Sequence, residues 1–565
     1  MKAIFLKDWP ILILLFLSLF IIWPLLLPGY FSHHDDLQIM RIFEMRKCIF
    51  DLQIPCRWVP DMGYGNGFPL FNYYGVFPYY LGAILSFVFG YIGSAKILFF
   101  LPLTFGGVFM YLLAKELTNK FGGFFAGILY MFAPYKALDA YVRGDVTESF
   151  SITLAPLLFY FSLKLIQEKS KKYFLLNTLA LAAFLTTHNI MTLFFIPVWF
   201  IYIFLLLFFG KKNKSLILIF GSLVLGIGLS AFFILPAFVE KSLVNTDSLR
   251  IMDLNFRAHF VTVEQIFISR FWGYGASTPG INDTISFQIG WPHWWLVGLG
   301  IILIPISLIK LFNKFLYLFN KNQFILIIFL FVVFIGSIFM MHNKSAFVWE
   351  KIDLLQYTQF PWRFLALTIF SSSLLGGYLI LIFKNKKWQL ASSILLSSLT
   401  ILLNFSFFKP ETFYPNLTDQ EKLSGKLFED QQKAAINDYL PKTAYEPREK
   451  APILPLVISG KAEVSNFLNY SNKFKFNVNV FDKANIEVPV FEFPNWQTFV
   501  NQKLYPHSHQ NLLGRIRLDL VPGNYQVVGQ FKDTSIRQTS NMLSLISLIT
   551  LLIITRYGKN KLFNS

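Results

Sequence analysis

Two histidines and two aspartates form the run His33-His34-Asp35-Asp36, shortly after the first hydrophobic segment of the chain, residues 9–27. A hydrophobic helix of this length spans a bilayer, so it would deliver the four side chains to the far membrane face. Charged groups at that boundary are costly unless they bind or react with something. We therefore expect Asp35 and Asp36 to be catalytic carboxylates of a lipid-dependent transferase. Capping and solvation of the first helix is the alternative explanation.

Two more polar clusters fall at turns that we predict on the same face. Arg143 and Glu148 lie within the run 143–148, and His188-Asn189 follows at the next outer turn. A carboxylate can accept a proton from an attacking hydroxyl, while arginine and histidine neutralise a phosphate leaving group. We expect these four residues, together with His34, to bind the substrate and its lipid phosphate.

Each of these residues also has a simpler explanation. Arg143 and Glu148 could equally form an interfacial ion pair that clamps two helices, and His188 could be a hydrogen-bonded histidine at a helix end. Arg363, in the run 359–364, is the remaining candidate for lipid-phosphate binding. It could instead extend its charged end to the surface from an aromatic belt.

Metal binding is a weaker interpretation of the run 33–36. Histidine and aspartate are suitable ligands for a divalent cation, but adjacent side chains rarely all point at one ion. The chain has no phosphate-binding glycine loop and no dinucleotide fingerprint, so we expect no soluble nucleotide cofactor. A divalent cation bound by residues 33–36 is therefore the one cofactor that we keep as an alternative.

Membrane helices must position these side chains. The 565 residues are 55% hydrophobic and 15% charged, against about 25% charged residues in soluble proteins. Apolar runs of about twenty residues recur, which predicts a polytopic α-helical membrane protein. We predict twelve spans, at 9–28, 95–114, 122–139, 149–166, 173–188, 191–209, 215–236, 294–312, 323–341, 364–383, 388–407 and 541–556.

The net charge of +18 follows from membrane topology rather than from nucleic-acid binding. Twenty basic residues and three acidic ones fall in the predicted cytosolic segments, as the positive-inside rule expects. Those segments are 2–8, 115–120, 164–172, 211–214, 310–321, 384–387 and 556–561. We therefore expect a protein of the plasma membrane with both termini in the cytosol. Counting residues 76–93 as a crossing would reverse every later loop, so we expect them to lie along the surface or to dip into the membrane and return.

The outer face carries four sizeable pieces, at 29–94, 139–149, 237–293 and 408–540. In the last piece, residues 474–480 and 515–520 alternate with period two, which predicts a small β-rich domain. The expected division is therefore a transmembrane domain over 1–407, an extracytoplasmic β domain over 408–540, and a final helix with a cytosolic tail over 541–565. Cys48 and Cys56 form either an external disulfide or two unreactive thiols.

The order of motifs resembles that of bacterial integral membrane proteins labelled 6-pyruvoyl-tetrahydropterin synthase-related, which are close to the YfhO-like group. Both are similar to members of the GT-C glycosyltransferase superfamily. The matching stretches run from the first loop to the β domain. They are His34-Asp35, residues 55–65, 68–74, 141–144 with Glu148, 187–189, 359–364 and 493–496.

The resemblance implies an enzyme that uses polyprenyl-phosphate-linked sugars and carries its catalytic acid in the first outer loop. Asp35 matches that position best, with Asp36 next to it, and the doubled run leaves open which of them is the base. We expect an inverting transferase whose acceptor is a glycan, polymer or protein, whose other partners are membrane lipids, and which binds no nucleic acid. The alternatives are a flippase for a lipid-linked glycan and a non-enzymatic assembly factor for cell-envelope polymer.

Overall fold

The computed structural model describes residues 8–209, 215–251, 254–280, 282–311 and 319–557. Thirteen longer helices are labelled here in chain order. They are α1 (Trp9–Ile21), α2 (Gln38–Phe50), α3 (Phe77–Leu117), α4 (Lys120–Met131), α5 (Val146–Glu168), α6 (Lys171–Leu185), α7 (Asn189–Phe209), α8 (Leu216–Val239), α9 (Trp291–Leu311), α10 (Lys321–Met341), α11 (Leu365–Leu379), α12 (Lys386–Asn404) and α13 (Ser535–Tyr557).

Short helical turns connect the longer helices. The α-helical ones are Trp23–Leu26, Leu70–Tyr73, Pro134–Leu138, Val263–Phe267, Ala346–Lys351, Asp353–Gln356, Asp419–Lys422 and Gly425–Lys433. The 3-10 turns are Glu240–Leu243, Asp247–Arg250, Phe256–His259, Asn343–Ser345, Pro361–Phe364, Ile380–Ile382, Phe405–Phe407 and Ile436–Asp438. One turn, Asp139–Arg143, is a π-helix, and it carries a predicted site residue.

Eight helical segments in the described residues are long and apolar enough to cross a membrane. They are Phe77–Leu117, Val146–Glu168, Asn189–Phe209, Leu216–Leu243, Lys321–Met341, Pro361–Ile382, Lys386–Phe407 and Ser535–Tyr557. The other four predicted spans correspond to α1, α4, α6 and α9, of which the first three contain 13, 12 and 15 residues. A full crossing takes about 20 residues. The prediction of a polytopic α-helical membrane protein is confirmed.

Helix α3 joins the predicted surface segment 76–93 to the predicted span 95–114. It is broken at Gly90, whose φ of 69° is not helical, so residues 77–89 and 91–117 form two connected helices. The carboxylate of Asp419 accepts hydrogen bonds from the backbone N–H groups of Tyr91 and Ile92 at 2.7 and 2.8 Å. This carboxylate therefore caps the second helix where the first one ends.

The predicted β-rich domain before the last helix is confirmed. Its strands are β3 (Leu456–Asn469), β4 (Lys473–Phe491), β5 (Trp496–Val500), β6 (Lys503–Tyr505), β7 (Arg515–Leu520) and β8 (Gly523–Phe531), following a short pair of strands described below. They form an antiparallel sheet in the order β3-β4-β8-β5-β6, with β7 paired to β4. Along β4, Phe474, Phe476, Val478 and Val480 are buried and the intervening side chains face outward.

The loop predicted as the first outer loop, residues 29–94, is closed by a segment from much later in the chain. Strand β1 (Tyr30–Phe31) pairs with β2 (Phe413–Tyr414), and the Ser32 N–H donates to the carbonyl of Thr412 at 3.0 Å. Cys48 and Cys56 form a disulfide, so the first of the two predicted alternatives is observed. The loop is thus held both internally and by the segment that leads into the β domain.

Candidate functional site

The π-turn Asp139–Arg143 and the start of α5 position one predicted cluster. A π-turn is a rare helical form that is frequent at functional sites. Gly144 ends it with a left-handed φ of 70°. Asp145 then caps α5, since its Oδ1 accepts from the Glu148 N–H at 2.9 Å and from the Thr147 hydroxyl at 2.8 Å. These turns bring the side chains on both sides of Gly144 together.

Arg143 lies among three carboxylates. Its Nη1 is 2.5 Å from Asp139 Oδ1 and 2.9 Å from Glu148 Oε2, and its Nη2 is 3.2 Å from Asp145 Oδ2. The guanidinium carbon also lies 4.9 Å from the centre of the Trp362 ring. The predicted ion pair between Arg143 and Glu148 is therefore present, as part of a larger buried network.

The carboxylates of this network differ in proton affinity. Burial, together with the charge of Glu148, raises the pKa of the Asp139 carboxyl well above its ordinary value, although Arg143 opposes the shift. Burial acts in the same direction on Asp145, but His188 and the nearby arginines outweigh it and hold the pKa of that carboxyl well below its usual range. Asp145 is therefore the more strongly ionised of the two.

His188, which directly precedes α7, and Arg363, on the 3-10 turn before α11, also reach the network. His188 Nδ1 accepts from the Met191 N–H at 3.1 Å, so the proton of the neutral ring is on Nε2, which lies 3.8 Å from Asp145 Oδ2. Burial lowers the pKa of His188 despite the neighbouring carboxylates. Arg363 Nε lies 3.1 Å from Glu148 Oε2, and its side chain is buried rather than extended to the surface.

The first outer loop lies directly on the π-turn. The His34 N–H donates to the carbonyl of Val142, and the Asp35 N–H donates to the carbonyl of Arg143, both at 2.9 Å. Asp35 Oδ2 accepts hydrogen bonds from Arg41 Nη1 at 2.5 Å and from Gln38 Nε2 at 3.0 Å. These contacts hold Asp35 against the backbone of Arg143, with its carboxylate paired to Arg41.

The other three side chains of the run 33–36 have contacts of their own. Asp36 is 45% exposed and forms an ion pair with Lys422. His33 is buried against aromatic rings, and burial lowers its pKa to about 4, so its imidazole is neutral at physiological pH. His34 Nε2 lies 2.8 Å from the carbonyl of Tyr274. The four adjacent side chains thus diverge.

Six of the eight predicted site residues line one cavity of about 450 Å³. Its lining includes His34, Asp35, Arg143, His188, Asn189 and Arg363. Asp36 and Glu148 are not among its lining residues; Asp36 pairs with Lys422, and Glu148 lies buried behind Arg143. Three clusters that are far apart in the sequence therefore open onto the same space.

A model of a protein family described as "6-pyruvoyl-tetrahydropterin synthase related domain; membrane protein" matches residues 71–407 of this chain. The chain belongs to this family. The predicted family, which includes YfhO-like proteins, is therefore confirmed. One curated relative is an uncharacterized protein of Lactococcus lactis subsp. cremoris (strain MG1363), 22% identical over 324 residues. The match covers 55% of this chain and 49% of the relative, so the chain spans about half the length of that protein.

Two solved structures of the Archaeoglobus fulgidus oligosaccharyltransferase are also similar. One is a complex with zinc and sulfate, and the other is tethered to an acceptor peptide through a disulfide bond. Each is 14% identical, with TM-scores of 0.37 and 0.36. They cover 71% and 73% of this chain and 54% and 57% of their own chains. Neither similarity assigns an activity or a ligand to this family member.

Sequence reasoning missed Asp438, which also lines the cavity of this family member. It lies on the turn Ile436–Asp438, in the segment between α12 and the β domain. Burial raises the pKa of the Asp438 carboxyl to about 6, with Arg41 opposing the shift and Asp35 adding to it. No sequence motif marks this residue. The run 436–439 carries no chemical signature of its own, and only folding brings it against the first outer loop.

A metal site can be tested on the donor set. Among the described residues, Asp145, Glu148 and His188 each offer a ligand atom, and these atoms lie within 4.8 Å of one another. However, Arg143 Nη1 and Arg363 Nε already lie 2.9 and 3.1 Å from Glu148 Oε2. A divalent cation there would face two guanidinium groups at close range. The donor set therefore fits a divalent cation poorly.

Proposed function

We propose that this family member is a membrane glycosyltransferase. It moves a sugar from a polyprenyl-phosphate donor to an extracytoplasmic acceptor, with inversion at the anomeric carbon. The observation that carries the proposal is the shared cavity, where the carboxylate of Asp35 lies on the same space as Arg143, Arg363 and His188. This combination supplies a proton acceptor and groups that stabilise a departing phosphate.

Asp35 is the general base in this proposal. Arg41 and Gln38 both bind its Oδ2, which orients the carboxylate. In the part of the chain that the structure describes, no hydrogen bond reaches Oδ1, so that oxygen is available for the proton of an acceptor hydroxyl. Asp36, which is paired with Lys422 outside the cavity, acts in closing the loop and not in proton transfer.

The arginines act on the leaving group. Arg143 and Arg363 are buried and are held by carboxylates behind them, so their guanidinium groups are oriented before the substrate binds. Preorganised donors in a site that excludes water stabilise developing charge far better than mobile donors in solvent. His188 adds a neutral N–H donor, because its proton is on Nε2.

The transfer step balances without a further reactant. The acceptor oxygen forms a bond to the anomeric carbon while its proton passes to Asp35. The bond from that carbon to the phosphate oxygen breaks, and its electron pair leaves with polyprenyl phosphate. Attack on the face opposite the leaving group inverts the configuration. The phosphate of the donor replaces a nucleotide, so the chemistry requires no cytosolic nucleotide site.

The membrane supplies the donor in this proposal. Phe50 at the end of α2 and Leu52 and Ile54 after it are exposed, with Leu52 at 82%. Phe87 and Phe89 on the first part of α3 are exposed as well. Exposed apolar side chains next to transmembrane helices are expected to contact lipid. The plasma membrane, the cytosolic termini and the extracytoplasmic β domain belong to the same proposal, which the lysine-rich segments support.

The test uses purified full-length protein in lipid nanodiscs, incubated with labelled polyprenyl-phosphate sugars. Release of polyprenyl phosphate and glycosylation of an added acceptor are measured together. We expect Asp35→Asn to lower the rate by roughly 100-fold or more, while the matched control Asp36→Asn keeps most of the activity. Unchanged turnover in Asp35→Asn, or transbilayer movement of the donor with no release of its sugar, would contradict the proposal.

A further inference from the structure

Six polar side chains form two rows on the solvent-exposed face of the β sheet, opposite its hydrophobic core. Strand pairing sets the rows, because directly opposed residues of neighbouring strands share a face. The rows are Glu463–Asn479–Asn524 and Ser465–Asn477–Gln526. Neighbouring strands lie about 5 Å apart and alternate residues about 7 Å apart along a strand. The two rows thus cover an area comparable in size to a short oligosaccharide.

These side chains line a hollow of about 610 Å³ on the sheet surface. All six are exposed or half-exposed, and among the described residues no hydrogen bond satisfies their side-chain polar groups. An amide side chain offers a carbonyl acceptor and two N–H donors. The hollow therefore presents a dense set of free donors and acceptors to solvent.

Folding of the domain does not account for these residues. The opposite face of β4, with Phe474, Phe476 and Val478, supplies the hydrophobic core. Asparagine is depleted in strands, where threonine and other β-branched residues are preferred. Asn477, Asn479 and a third asparagine on β8 are therefore locally unfavourable choices at surface positions. Such departures from local preference are expected where a surface has a function.

The chemistry of the hollow selects among ligand classes. Glu463 is the one charged residue of its lining, which disfavours a polyanion such as nucleic acid. The lining is polar, which disfavours an apolar protein partner. Phe481, two residues after Asn479 on β4, is 45% exposed, and the ammonium of Lys461 lies 5.8 Å from its ring centre. Amide donors and acceptors in a hollow with one charged residue suit the hydroxyl groups of sugars.

We propose that the outer face of β3, β4 and β8 binds a neutral glycan chain. This goes beyond the proposed transfer reaction, because binding at the hollow requires no reaction in the membrane-facing cavity. The two sites are also built from separate side chains: no residue of the hollow lines the cavity that contains Asp35.

The test measures binding of full-length protein in nanodiscs to an array of purified bacterial envelope polysaccharides, neutral and anionic, immobilised side by side. The double variant Asn477→Thr with Asn479→Thr removes two amides and favours the strand, so the domain should fold at least as well as before. We expect it to weaken binding to neutral glycans at least tenfold. Gln497→Thr is the matched control, since Gln497 is a half-buried amide of β5 that does not line the hollow.

The outcomes separate this proposal from the transferase proposal. Asp35→Asn should bind glycan as the wild type does even if it transfers no sugar. The glycan proposal is overturned if the wild type binds none of the neutral polysaccharides, if it binds anionic ones alone, or if the threonine double variant binds as tightly as the wild type. None of these results depends on whether sugar transfer is observed.

Discussion

The imidazole of His33 lies directly against Gly144, so that a Cβ at residue 144 would fall well inside van der Waals contact with Nδ1. Two residues later, the Asp35 N–H donates to the carbonyl of Arg143 at 2.9 Å. The first outer loop and the π-turn are thus in contact along their backbones, with no room for a side chain between them. This contact holds the loop that carries the proposed base, Asp35, against the turn that carries Arg143.

Gly144→Ala is expected to disturb this contact. The left-handed φ of 70° already disfavours alanine, and the clash with His33 adds to a cost that typically exceeds about 1 kcal/mol. We expect a lower unfolding temperature and reduced sugar transfer. The control Gly425→Ala has a similar φ of 56° but open space around the added Cβ. Equal destabilisation by both variants would show that the contact with His33 contributes nothing.

Removal of the Arg143 side chain should be severely destabilising. Arg143→Met leaves Asp139 and Glu148 buried without this partner, and such a loss typically costs about 3–5 kcal/mol. The exposed pair of Arg257 and Glu350, with side chains 55% and 50% exposed, is the matched control. Its Arg257→Ala variant should change the free energy of unfolding by less than about 1 kcal/mol.

A double variant separates pairing from packing at the same site. If the charges interact, adding Glu148→Gln to Arg143→Met should cost less than the sum of the two single changes. Denaturant unfolding in mild detergent measures all three free energies. Strict additivity would indicate that the network contributes through packing alone.

Asp438 should make the folded protein less stable as the pH rises. Burial raises its pKa to about 6 in the folded protein, against about 3.9 for an unperturbed aspartate. The folded state therefore holds this proton more tightly than the unfolded state does. The contribution of Asp438 to stability falls as pH rises from about 4 to about 6, and it changes little above that window.

The variant Asp438→Asn isolates this effect. The difference in unfolding temperature between wild type and variant should shift between pH 4 and pH 6 and then level off, with the wild type gaining relative stability at the acidic end. Thermal unfolding at half-unit pH steps gives the curve. A difference that stays constant across this range would mean that Asp438 titrates normally in the fold.

The disulfide between Cys48 and Cys56 gives a chemical test of topology. Disulfides persist in oxidising compartments, so the first outer loop should be oxidised in the native protein. Alkylation of denatured, unreduced protein should label no thiol, and prior reduction should expose two, as mass spectrometry can count. Replacing both cysteines by serine should lower stability by about 2–3 kcal/mol. Free thiols in native material would place this loop on the reducing side.

Several parts of this structure could be predicted because hydrophobic helices restrict where their ends lie. Asp35, Arg143 and His188 each follow or precede an apolar span, so a consistent topology places all three at one membrane surface. They line one cavity. The alternation of residues 474–480 likewise predicts strand β4, since its buried side chains recur at every second position.

Other parts depended on contacts that no local pattern records. Asp35 and Asp36 are adjacent and chemically identical, and they differ because Lys422, 386 residues after Asp36, pairs with the second one. Asp438 enters the cavity from an equally distant segment. Gly144, which ends the π-turn, packs against His33, a contact that sequence propensity does not encode.

The pairing of β1 with β2 joins distant parts of the chain, and the neighbouring bond between Ser32 and Thr412 spans 380 positions. During synthesis, the strand that follows the first helix must therefore wait for most of the chain before it meets its partner. The loop that carries Asp35 is consequently among the last parts to be secured. A ribosome-bound chain that ends before residue 413 would contain the described helices of residues 71–407 but not strand β2. Strand β1 would then have no partner, and the loop that carries Asp35 would remain open at the lipid surface.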